Sequence, residues 1–303
     1  MGREDNVRVF QDTERVIKSN KRLLACVKES TNNQILIPNY MQVSEFMLGA
    51  VKQYEKPASV VVSKKRTYEA ASAYRDKKVC VHNFASATNP GGGVVKGSSA
   101  QEECLCRCST LYFNLNTADM WSGFYSPHRA EQNPLHNDDC IYTPNVVVIK
   151  TDTAIPQLMQ EKDWFEVNVV TCAAPNLRLI PSNSMNSGDG SKCIKISDKE
   201  LYELHVKRLT RILDIAKAGN NDVVILGAFG CGAFENNPEV VAKAAREVIV
   251  DYVKDFEVIE FAIYCSPRDE KNYEIFHRIM GNSEIIDELE GIEETNLSKY
   301  MKE

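Results

Sequence analysis

Five short apolar runs constrain this chain more than any other feature. Residues 79–84 form a β-prone run that ends in polar turn chemistry, and 146–149, 167–171, 223–226 and 258–264 are dominated by Val and Ile. Most of these runs are continuous rather than alternating. A strand with one wet face alternates apolar and polar residues, whereas a strand covered on both faces need not. Segments with helical spacing lie between several of them, at 102–115, 198–218 and 238–254. Strands that alternate with helices predict an α/β layered fold with a mixed or mostly parallel sheet.

The first 75 residues read differently, as mostly helical. Over 7–28, Val9, Phe10, Val16, Ile17, Leu23, Leu24 and Val27 recur at roughly helical spacing. Residues 32–54 read as a short extended piece at 35–38 followed by an amphipathic stretch, and 67–74 is rich in helix formers. The expected organisation is an N-terminal helical extension over 1–75 packed on the core, a core over 76–270, and a C-terminal helix and acidic tail over 271–303. That tail carries seven acids against two lysines after Gly281. Residues 181–192 read as a polar surface loop, and there is no internal repeat.

Charge narrows the function. With 36 Lys and Arg against 42 Asp and Glu, the net charge is −6, so a broad basic face for duplex nucleic acid is excluded. Any anionic ligand has to be held locally, by backbone N–H groups. No run approaches the ~18 apolar residues of a membrane helix, and the first residues are charged, without the apolar core of a signal peptide. Gly2 suggests myristoylation, but Asn6 stands where Ser or Thr is needed. The expectation is an intracellular, cytoplasmic protein that does not touch membranes. Ten cysteines include Cys104, Cys106 and Cys108, yet there is no C-x-x-C pair. Reduced thiols are expected. On a helix Cys104 and Cys108 share a face while Cys106 points elsewhere, so these read as small buried residues. No metal and no redox cofactor is expected.

Two glycine-rich loops carry the chemistry. The second is the simpler: strand 223–226 runs into Gly227-Ala228-Phe229-Gly230-Cys231-Gly232-Ala233-Phe234, then Asn236-Asn237-Pro238 opens a helix. Asn suits an N-cap and Pro the first helical turn. A strand, a glycine loop and a helix N-terminus present free N–H groups and a positive dipole end to phosphate. The order is neither a P-loop nor G-x-G-x-x-G. The first loop runs Asn89-Pro90-Gly91-Gly92-Gly93-Val94, with Gln101-Glu102-Glu103 at the start of a predicted helix. Three consecutive glycines cost backbone entropy and suit a chain that must approach a ligand closely. Acids in a first helical turn are also favoured by the dipole, so capping is an alternative role for either glutamate.

The stretch from Asn83 through Gly91-Gly92-Gly93 to Gln101-Glu102-Glu103 resembles the signature of poly(ADP-ribose) glycohydrolases. The stretch 226–234 and Ala173-Ala174-Pro175-Asn176 resemble the compact bacterial-type members. The resemblance spans roughly 67–265 and implies a macrodomain, a three-layer α/β/α sandwich that binds ADP-ribose. It implies Glu103 as the catalytic acid and Glu102 as its ribose-binding neighbour. It also implies ADP-ribose contacts at Gly91, Gly92, Gly93, Val94 and Gln101, and at Gly230, Cys231, Gly232, Ala233 and Phe234, with Phe234 packing on the distal ribose. The tyrosine-bearing clasp of the animal enzymes has no counterpart. The implied substrates are ADP-ribose polymers, cleaved mainly from the chain end, and the proteins that carry them. The alternatives are removal of single ADP-ribose groups from side chains and a non-catalytic reader.

Breaking a ribose–ribose bond passes through an oxocarbenium-like state and needs a proton on the leaving oxygen. A glutamate supplies it if a dry pocket raises its pKa. Adjacent glutamates on a helix diverge, so Glu102 and Glu103 are expected not to flank the bond. Glu103 is then a single acid/base, and Glu102 fixes ribose hydroxyls. Asn83 and Asn89 are candidate ribose contacts, with turn formation as the alternative. Tyr264 is a candidate to stack on adenine, with core packing as the alternative.

Overall fold

A computed structural model describes residues 1–46, 52–266 and 268–281. Its centre is a seven-stranded sheet made of β1 (Ile35–Ile37), β2 (Ser59–Ser63), β3 (Val79–Phe84), β4 (Cys140–Val148), β5 (Phe165–Cys172), β6 (Val223–Leu226) and β7 (Val258–Ala262), in the order β1-β4-β5-β3-β6-β7-β2. From β5 to β2 every neighbouring pair is parallel, while β4 runs antiparallel to both of its neighbours, β5 and β1. The sheet is therefore mixed; four of the five apolar runs lie in its parallel part, and the run at 146–149 falls on antiparallel β4. Alternate residues of one strand serve opposite cores. On β6, Val224 packs with one cluster and Val223 and Ile225 with the other. Both faces are dry, so the sequence has no reason to alternate.

The helices are α1 (Arg3–Ser19), α2 (Lys21–Asn32), α3 (Thr67–Ala71), α4 (Gln101–Cys108), α5 (Leu111–Leu115), α6 (Ala118–Met120), α7 (Ser126–Glu131), α8 (Asp198–Ala218), α9 (Pro238–Val250) and α10 (Lys271–Met280). One face of the sheet is covered by α8, α9 and α10, through residues such as Ile212, Val241 and Phe276. The other is covered by α1, α3, α4 and α5, through Phe10, Tyr68, Leu105 and Leu111. This is the expected α/β/α sandwich. Each large apolar side chain so buried contributes about 1.5–3 kcal/mol, which explains why short helices such as α3 and α5 persist. Caps fix the longer ones: Ser197 and Glu200 form a reciprocal capping box on α8, and Asn237 caps α9 with Pro238 in its first turn.

Several expectations need correction. The predicted helix over 7–28 is two helices, because Asn20 ends α1 and its side chain accepts from Arg22 and Leu23 N–H to start α2. The helix over 102–115 is likewise two, broken at Ser109 and Thr110. The run at 146–149 is the end of a longer strand that starts at Cys140 and shifts register between Thr143 and Val146. Residues 1–75 are not merely helical: they supply β1 and β2, one at each edge of the sheet. Of the amphipathic stretch after Pro38, Val43–Phe46 is a single 3-10 turn, and 47–51 lie outside the described residues. So does the acidic tail beyond Gly281. Among the described residues no helix is long and apolar enough to cross a membrane.

Candidate active site

A cleft of about 660 Å³ opens over the C-terminal ends of the parallel strands, in the middle of the range of small-molecule sites. Both glycine loops and the start of α4 line it. The first loop is bent so that Gly91 and Gly92 take φ of 64° and 57°, in the left-handed region that glycine enters without penalty. That bend presents the Gly93 N–H, which donates to Glu103 Oε1 at 2.8 Å. Glu103 Oε2 is buried and has no hydrogen-bond partner among the described residues.

Glu102 has fuller company. The Ser86 N–H donates to its Oε2 at 2.8 Å and Asn83 Nδ2 to its Oε1 at 3.3 Å. Glu102 and Glu103 are 2% and 7% exposed, and an uncompensated buried carboxylate costs several kcal/mol. Burial accordingly pushes the Glu103 carboxyl above the usual glutamate range, with the hydrogen bond from Gly93 opposing. Burial and then the charge of Glu103 raise Glu102 further. The two glutamates do not diverge as expected. A Cβ built on Gly92 would stand 2.5 Å from Glu103 Oε1 and 3.1 Å from Glu102 Oε2, so both carboxyl groups converge on that glycine from the first turn of α4.

Not every sequence candidate reaches the cleft. Gly92, Gln101, Glu102, Glu103, Gly230, Gly232, Ala233, Phe234 and Tyr264 line it. Gly91, Gly93 and Val94 are buried behind it, and Cys231 is half-buried and lies outside the lining. Asn83 is fully buried, and its amide goes to Glu102 and to Thr171 Oγ1 at 3.2 Å, so it sets Glu102 rather than facing the cleft. Asn89 binds the 181–192 loop, donating to Ser187 O at 2.6 Å and Asn186 Oδ1 at 3.1 Å. Gln101 lines the cleft, but its amide is engaged: it accepts from the Phe84 N–H and donates to His82 O and Thr67 Oγ1. It therefore pins α4 to β3. Tyr264 is 51% exposed, which removes core packing as its role. Cys106 and Cys108 are buried, and Cys106 Sγ lies 3.1 Å from a Gly91 Cβ position, under the first loop. Cys104 is half-buried and lines the cleft. Among the described residues no group of three or more His, Cys, Asp or Glu side chains suits a metal ion.

The cleft also holds residues that sequence spacing did not flag. Arg66, at the start of α3, lays its guanidinium 3.8 Å from the Tyr264 ring centre. Asp152 is 5% exposed and accepts from the Tyr68 N–H at 3.1 Å, and burial pushes it up to about 6. Arg178 sits 5.5 Å from the Phe234 ring centre. The 181–192 stretch is more than a surface loop. Met185 and Asn186 line the cleft, and Asp189, 1% exposed, is held by Thr88 at 2.9 Å, Asn176 at 2.7 Å and Asn186 at 2.9 Å. These side chains are single residues from distant segments, and no local pattern marks them. Only the polar content of 181–192 offered a signal.

Residues 6–151 match a family model described as the microbial-type PARG catalytic domain. The chain is similar to the crystal structure of poly(ADP-ribose) glycohydrolase from Thermomonospora curvata, with a TM-score of 0.76 and 25% identity, over 91% of this chain and 99% of that one. It is also similar to the poly(ADP-ribose) glycohydrolase of Deinococcus radiodurans in complex with ADP-ribose, with a TM-score of 0.68 and 26% identity, over 84% of this chain and 96% of that one. No curated protein sequence matches it.

Proposed function

Because residues 6–151 match the family model of the microbial-type PARG catalytic domain, we propose that this chain is a poly(ADP-ribose) glycohydrolase whose single acid/base is Glu103. It hydrolyses the ribose–ribose O-glycosidic bond of polymers carried on ADP-ribosylated proteins, mainly from the chain end, and releases ADP-ribose. The observation that carries the assignment of Glu103 is its asymmetry. One oxygen is fixed by the Gly93 N–H, the other is buried and unpartnered, and the residue lines the cleft. A fixed, neutral carboxyl with a free oxygen is the state a general acid needs before the leaving oxygen departs. After departure the same group is a carboxylate and takes a proton from the attacking water, restoring the acid.

Glu102 has the opposite character, with each oxygen already accepting a hydrogen bond. It suits a fixed acceptor for ribose hydroxyls. The backbone of 230–234 takes the diphosphate, Phe234 packs on the distal ribose and the exposed Tyr264 ring offers a face to adenine. Glu103→Gln tests the acid directly. Release of ADP-ribose from automodified polymer is expected to fall by about 10³-fold, while calorimetric affinity for ADP-ribose stays within about twofold. Turnover near wild type would remove Glu103 from the role.

A further inference from the structure

One buried carboxylate has no part in the chemistry above, yet it ties the two glycine loops together. Asp189 belongs to the 181–192 stretch, most of which is half-buried or exposed, but it is itself 1% exposed and does not line the cleft. Its Oδ1 accepts from Thr88 Oγ1 at 2.9 Å and faces His136 Nε2 at 3.4 Å. Its Oδ2 accepts from Asn176 Nδ2 at 2.7 Å and from Asn186 Nδ2 at 2.9 Å. Burial opposes its charge, but His136, Asn176 and Thr88 hold the carboxyl below the usual aspartate range. Hydrogen bonds to an ionised acceptor are roughly twice as strong as neutral ones, which suits an anchor.

Two relays leave this carboxylate. In the first, Asn186 Oδ1 accepts from Ser86 Oγ at 2.8 Å and from Asn89 Nδ2 at 3.1 Å. Ser86 Oγ in turn accepts from the Asn89 N–H at 3.1 Å, which closes the turn at 86–89, and the Ser86 N–H is the donor to Glu102 Oε2. In the second, Asn176 Oδ1 accepts from Arg178 Nε at 3.0 Å, and that guanidinium lies against the Phe234 ring. The approach of the segment is built into its backbone. Gly188 takes φ of 112°, and a Cβ there would stand 2.9 Å from Thr88 Cβ, so glycine is what lets it lie this close to the first loop.

We infer that Asp189 is a positioning residue for the ligand: through Asn186 and Ser86 it sets Glu102, and through Asn176 and Arg178 it sets Phe234. A side chain outside the cleft thereby aligns two groups on opposite walls of it. The inference rests on the ligand roles given above to Glu102 and Phe234.

The test is calorimetric affinity of the full chain for ADP-ribose, with kcat and KM for release of ADP-ribose from automodified polymer measured in parallel. Asn186→Ala should weaken binding about fivefold, and Ser86→Ala at least as much. The double variant should bind no more than about twofold worse than Ser86→Ala alone, since Asn186 acts through that hydroxyl. Losses that multiply would make Asn186 a direct ligand contact and overturn the relay, as would an unchanged affinity in Asn186→Ala. Asp189→Ala cuts both relays and should weaken binding about 20-fold, whereas Asp189→Asn, whose carbonyl still accepts from both amides, should recover to within about threefold of the unaltered chain. A merely structural loss lowers binding stoichiometry and kcat together and leaves Kd and KM as they were; that pattern also overturns the inference. Should Asp189→Ala not fold, the Asn186 and Ser86 variants decide the matter. If the unaltered chain binds ADP-ribose but releases none from polymer, the enzyme reading fails and the affinities still test the relay. If it hydrolyses polymer while the losses multiply, the relay fails and the enzyme reading stands.

Discussion

In the first glycine loop, Gly91 and Gly92 sit at φ of 64° and 57°, and a Cβ on Gly92 would run into the carboxyl of Glu103. In the second, Gly230 is similarly committed, at φ of 76° with Ala174 Cβ 2.7 Å from its Cβ position, but Gly232 meets nothing within 4 Å. The same residue type therefore serves two purposes. In the first loop glycine lets the chain close on its own acid. At Gly232 it keeps a wall low on the side where a ligand's diphosphate would lie. One loop organises a titrating group, and the other offers main-chain N–H groups and no charge.

That contrast can be broken in four ways, taken from the largest effect down. Gly92→Ala should cost about 100-fold in turnover, because a shift of about 1 Å in Glu103 is enough for that. Steady-state release of ADP-ribose checks it, and a drop below about threefold would mean the loop does not position the acid. Next comes pH. Burial raises the Glu103 carboxyl, and the protonated form is the active one. kcat/KM should therefore hold at low pH and fall about tenfold per unit once pH passes that raised value, which lies above the ordinary ~4.3. The affinity of Glu103→Gln for ADP-ribose is measured over the same window; the second loop brings no titrating group, so any pH dependence there reports the raised carboxyl of Glu102. Gly230→Ala should then cost about 1–3 kcal/mol in stability, from the left-handed backbone and the contact with Ala174; denaturant unfolding measures it. Gly232→Ala should change stability by less than about 0.5 kcal/mol yet weaken ADP-ribose binding about fivefold in calorimetry. An unchanged affinity there would remove the second loop from the ligand.

The two loops were legible from sequence because their information is local: glycines, an acid pair and the turn of a helix within a few residues. The central strands were legible for a related reason. β6 is buried on both faces and reads as an unbroken aliphatic run, and β5 and β7 are rich in Val and Ile with single buried polar residues, Asn168 and Glu260, among them. β2 was overlooked although Val60-Val61-Val62 carries the same signal, because it sits in the N-terminal part that otherwise reads as helical. The first half of β4 was hidden by Pro144 and Asn145, where the register shifts. Asn83 was read as a ligand contact because sequence shows that a polar residue ends a strand, not which way it faces. Arg3, Arg66, Asp152 and Arg178 come from four separate segments, and only the folded sheet brings them to one cleft.

The two margins of the sheet have a consequence for how the molecule comes into being. Ile35 pairs with Tyr142 at one edge, and Ser59 pairs with Val258 at the other. Both outer strands leave the ribosome early and must wait for partners made much later, β2 until Val258 pairs with Ser59. Contacts that distant in sequence slow assembly, and unpaired edges invite association with neighbouring chains. The nascent protein is therefore most vulnerable to aggregation in the interval before β7 is synthesised, and a chain cut short of β7 would leave β2 with no strand to join.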